Sequence, residues 1–133
     1  MGNLKLLVVG ILVVCAAILN NSNLYAQGNV KGVTVIELAQ TPGEFNTKEL
    51  TLKPGQYQFK VKNQNVDKDL GFVIQKAADK NVDVMKSAVP NSFTTELIKK
   101  GETKMTGVVT LEKGEYVYSC PLNPTPHYKI TVK

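Results

Sequence analysis

One histidine, His127, and two cysteines, Cys15 and Cys120, are the side chains of this 133-residue sequence best suited to ligating metal or attacking a substrate. Cys120 and His127 stand seven positions apart, with Pro121, Pro124 and Pro126 between them. Each proline fixes one backbone dihedral, so the loop is restricted before any ligand arrives and loses less entropy on binding. A thiolate and an imidazole held at the two ends of such a loop can ligate a soft metal ion or act as a nucleophile and its base. The second use needs a third group to orient the imidazole, and no residue is marked for that role. Cys-x-x-Cys, Gly-x-Ser-x-Gly and phosphate-loop patterns are all absent. The expectation is that the chain is not an enzyme. Singly, each residue also has a plain reading: Cys120 as a small buried apolar group and His127 as a surface residue.

The elements that must position this pair read as strands. Glu115-Tyr116-Val117-Tyr118-Ser119-Cys120 alternates so that Tyr116, Tyr118 and Cys120 share a face, with the thiol at its end. Tyr128 to Val132 follows the proline loop as a final strand. Period-two alternation also marks Val33/Val35, Leu50/Leu52 and Tyr57/Phe59/Val61, and further strands are expected at Leu70 to Gln75, Ser92 to Ile98 and Lys104 to Leu111. Lys53-Pro54-Gly55, Lys100-Gly101-Glu102 and Lys113-Gly114-Glu115 supply turns. This is the pattern of an all-β sandwich or barrel. Ala78, Val82, Met85 and Val89 follow helical spacing up to Pro90, which predicts a short helix with Met85 packed on the core.

Residues 1–26 have the form of a secretory signal: Lys5, an apolar stretch from Leu6 to Leu19, and Ala26 before the cut. The stretch is short for a membrane span. Cleavage leaves a single domain, residues 27–133, with a periplasmic or secreted destination and no membrane attachment. Cys15 leaves with the signal, so Cys120 has no internal disulfide partner. The formal charge of +5 falls to +4 with the loss of Lys5. Every basic residue is lysine; without an arginine fork, nucleic acid is not an expected partner. Hydrophobic residues at 43% and charged residues at 20% fit a globular core.

The mature chain resembles the cupredoxins, the blue-copper family of plastocyanin and azurin. Carrying the resemblance are the strand ending Val61-Lys62-Asn63, the Gly101-Glu102-Thr103 turn, the Gly114-Glu115-Tyr116-Val117-Tyr118-Ser119-Cys120 strand and the final Lys129-Ile130-Thr131-Val132 strand. It implies a cupredoxin-like Greek-key β-sandwich of about eight strands with one short helix. It further implies that Cys120 is a copper thiolate, that the following loop supplies an imidazole, and that a second imidazole comes from upstream. Leu70 stands in the upstream ligand position. Asn123 stands where short-loop members place the loop histidine, while a longer-loop alignment makes His127 that histidine.

A blue site takes two imidazoles and one thiolate, whereas Cu(I) accepts fewer, softer ligands. The expected site is therefore one copper ion, Cu(I) or Cu(II), held by Cys120 and His127. Met85, Met105, Asn123, Asp67, Asp69, a backbone carbonyl or a second chain are open as the third donor. Copper carriage or one-electron transfer follows, with an acidic redox or copper-transfer protein as partner for the lysine-rich surface. The alternative is a metal-free cupredoxin fold serving as a binding or structural module.

Overall fold

The computed structural model describes residues 32–133; the signal segment and the cut after Ala26 lie outside the described residues. Among the described residues, nine strands form two sheets. In the first, β1 (Val33–Thr41) lies between β2 (Glu44–Phe45) and β4 (Gly55–Asn63), and β6 (Thr103–Met105) and β7 (Val109–Leu111) pair with successive stretches of β4. The second runs β3 (Glu49–Leu52), β9 (Tyr128–Val132), β8 (Gly114–Ser119), β5 (Val73–Lys76). Pairings β1 with β4 and β3 with β9 are parallel; the others are antiparallel. The all-β sandwich predicted from alternation is thus present.

Alternation decides which face each strand buries. Tyr57, Phe59 and Val61 of β4 point inward, as do Leu50 and Leu52 of β3. On β1 the inward set is Ile36, Leu38 and Gln40, so Val35 is off the core face that the sequence assigned to it. The centre is aromatic. Phe72 stacks on Phe59 at 5.4 Å and meets Tyr118 and Phe45 at 5.9 Å each; Tyr118 lies 5.4 Å from Tyr128.

Two expected strands break up for identifiable reasons. Lys104 to Leu111 divides into β6 and β7 because the Thr106 hydroxyl accepts the Phe59 N–H at 3.0 Å and takes a ladder position, and Gly107 passes tightly over Asn91. Ser92 to Ile98 contributes only the bridges Thr94 to Thr106 and Leu70 to Ile98. The predicted helix is a 3-10 turn, Ala77–Asp79, followed by the single-turn α1, Val84–Ser87, capped by Asp83 accepting the Met85 N–H. Met85 is 76% exposed, which corrects its assignment to the core; Val89 alone of that series packs there.

Tyr118 is fully buried and donates its hydroxyl to the Thr47 carbonyl at 2.5 Å. Burial pushes its pKa well above the ordinary tyrosine range. The folded state therefore holds this proton more tightly than the unfolded state. The resulting stability is complete below about pH 10 and is lost as pH rises from there toward the folded pKa. Tyr118→Phe is expected to cost about 1 kcal/mol at neutral pH and to flatten the fall in stability above pH 10. Tyr57, whose pKa burial raises, and Lys48 and Lys104, whose pKa values are raised by hydrogen bonds to Glu44 and Glu96, contribute to what remains. Denaturant unfolding on both sides of that pH checks it; an unchanged alkaline slope contradicts it.

Candidate functional site

Cys120 follows β8, and only 3% of it is exposed. Two backbone N–H groups donate to its sulfur: Gly71 at 3.4 Å and Asn123 at 3.2 Å. Gly71 belongs to the segment entering β5, and Leu70, its fully buried neighbour, shares the core cluster with Cys120. Leu70 is fixed by reciprocal backbone bonds with Ile98 at 3.0 and 2.9 Å. Upstream of it, the buried Asn63 side chain shapes the turn by accepting from Val66 and donating to the carbonyls of Lys68 and Ile98.

The loop after Cys120 folds back on β1 through Asn123, which is 5% exposed. Its Oδ1 accepts the Gly43 N–H at 3.2 Å, and its Nδ2 donates to Gln40 Oε1 and the Thr41 carbonyl at 3.3 Å each. Gly43, with φ 75°, turns the chain so that its N–H faces the amide. Gln40 is fully buried, and its Nε2 donates to the Gly71 carbonyl at 2.8 Å. These orientations are forced: Gly43 N–H is only a donor, and the carbonyls of Thr41 and Gly71 are only acceptors. A closed circuit results, from Cys120 Sγ to Gly71, to Gln40, to Asn123, and back to Sγ.

His127 is exposed, while its neighbour Tyr128 turns inward and pairs with Tyr118, whose side chain shares the Cys120 face of β8. Among the described residues, no hydrogen bond joins His127 to Cys120 and no three His, Cys, Asp or Glu side chains cluster closely enough to hold a metal ion. Of the open third donors, Asn123 is beside the sulfur. Asp67 is paired with Lys100 at 2.7 Å, which holds its carboxyl below the usual carboxylate range through hydrogen bonding and charge, and Asp69 faces Lys99 at 4.0 Å.

Gln40 escaped the sequence reading. Its signal was a polar residue in the inward register of Ile36 and Leu38.

A family profile described as copper binding proteins of the plastocyanin/azurin family matches residues 31–133. The chain belongs to that family. Solved cupredoxins share its fold. Auracyanin A, a "blue" copper protein from Chloroflexus aurantiacus, is 20% identical with a TM-score of 0.59, covering 77% of this chain and 100% of that one. Auracyanin from Roseiflexus castenholzii is 19% identical with a TM-score of 0.58, covering 75% and 97%. Auracyanin B is 17% identical with a TM-score of 0.58, covering 82% and 94%. No curated sequence matches the chain.

A blue-copper centre needs two imidazoles beside its thiolate. This cupredoxin has one histidine, and the partners of its sulfur are the backbone N–H groups of Gly71 and Asn123. The Asn123 amide has both N–H groups engaged and its oxygen bonded. The residues around Cys120 do not fit that centre.

Proposed function

We propose that the mature chain is an exported cupredoxin-fold binding module that works without resident copper. One observation carries this reading: Asn123, which contributes a backbone N–H to the thiol, has its side-chain amide committed to Gly43, Thr41 and the buried Gln40, and a single histidine cannot supply two imidazoles. Its partner is an acidic protein surface, supported by the all-lysine basic charge and by exposed lysines such as Lys60, Lys62 and Lys68 that lack ion pairs among the described residues. Such attraction speeds encounter and weakens as salt rises.

A second reading is favoured by the family match: one copper ion on Cys120 and His127, for carriage or electron transfer. It requires the imidazole of the exposed His127 to reach the sulfur of the buried Cys120 across the 121–127 loop.

Dialysis of the reduced, chelator-treated mature chain against Cu(I) separates the two. Wild type is expected to retain no more copper than Cys120→Ser or His127→Ala. One copper per chain, lost in both variants, overturns the metal-free reading.

A further inference from the structure

We infer that the circuit through Cys120, Gly71, Gln40 and Asn123 is a cooperative clamp that locks the 121–127 loop to β1 and to the entry of β5, in place of a metal ion. The inference rests on the metal-free reading. Three segments far apart in sequence meet here, and each is tied to the next by a specific donor and acceptor. Gly71 gives its N–H to the sulfur and its carbonyl to Gln40. Gln40 gives its oxygen to Asn123, and Asn123 gives its backbone N–H to the same sulfur. Gln40, Asn123, Cys120 and Gly71 are all buried.

Buried groups of this kind have little water to turn to. Breaking one bond leaves its partner unsatisfied, and linked hydrogen bonds support one another. The loop has a further tie in the Thr125 hydroxyl, which accepts the Cys120 N–H at 3.2 Å. Leu122 is held outward, 44% exposed, against the face of Gly71. In this clamp Cys120 serves as a hydrogen-bond acceptor.

Amide hydrogen exchange on the copper-free mature chain tests the clamp whether or not the chain also takes up copper. Asn123→Ala removes the acceptor of Gly43 directly but does not touch the Gly71 N–H. A cooperative clamp predicts that exchange quickens about tenfold at both Gly43 and Gly71. Acceleration at Gly43 with Gly71 unchanged overturns the inference. Gln40→Leu provides a second route, because it leaves both donors to the sulfur in place. Faster exchange at the Asn123 N–H supports the clamp, and unchanged exchange there contradicts it. Copper uptake by wild type in the dialysis experiment would remove the metal-free reading instead, which keeps the two failures distinct.

Discussion

Replacing Leu70 and Asn123 together by histidine is expected to create a chain that takes up one copper ion and shows a strong visible charge-transfer band. The sulfur accepts the backbone N–H of Gly71, next to Leu70, and that of Asn123 itself, so 70 and 123 are the positions from which imidazoles are expected to reach it. Two imidazoles at these positions would complete the thiolate and two-imidazole set that Cu(II) requires. Removing Asn123 also frees Gln40 Oε1, and an amide oxygen is an accepted weak axial ligand. An imidazole in the fully buried space of Leu70 costs about 1–3 kcal/mol while it lacks a partner. The metal-free double variant should therefore be less stable than wild type, and copper should recover the loss. Copper stoichiometry and the absorption spectrum check the expectation. A folded double variant with neither bound copper nor the band would show that imidazoles at 70 and 123 do not reach the thiol.

Phe72→Ala is expected to cost about 3–5 kcal/mol, a large share of the 5–15 kcal/mol typical of a domain. Phe72 is fully buried, stacks on Phe59 and touches the edges or faces of Phe45 and Tyr118, so truncation opens a cavity bounded by both sheets. Met85→Ala is the matched control: with 76% of that residue exposed, a change within about 0.5 kcal/mol is expected. Denaturant midpoints at constant slope give both numbers. A Phe72→Ala cost below that of Met85→Ala would mean that the aromatic cluster does not hold the sheets together.

The strands legible in the sequence were those whose alternation met a turn signal. Tyr57, Phe59 and Val61 after Pro54-Gly55, and Tyr116 and Tyr118 after Gly114, have an inward register that neighbouring residues do not compete for. Thr106 defeated the same logic, because its side chain bonds a distant backbone N–H and takes a ladder position. Val82 and Met85 follow a helical apolar spacing on a segment that lies at the surface, 45% and 76% exposed, so the pattern had no core to face. Part of the site was legible as well. Alternation along β8 put Cys120 on the Tyr118 face, and likeness to cupredoxins marked Leu70, whose neighbour Gly71 donates its N–H to the sulfur. The tie from Asn123 to Gln40 spans 83 positions, and no local pattern encodes such a pairing.

The central claim is that this fold is complete without copper, and thermal unfolding of the reduced mature chain with and without saturating Cu(I) tests it most directly. A ligand that binds only the folded state at 100 times its Kd adds about 2.7 kcal/mol. In a domain of about 100 residues each kcal/mol raises Tm by about 4–8 °C. The account predicts that copper leaves Tm unchanged, both in wild type and in Cys120→Ser. A copper-dependent rise of about 10 °C or more, lost in Cys120→Ser, would contradict it.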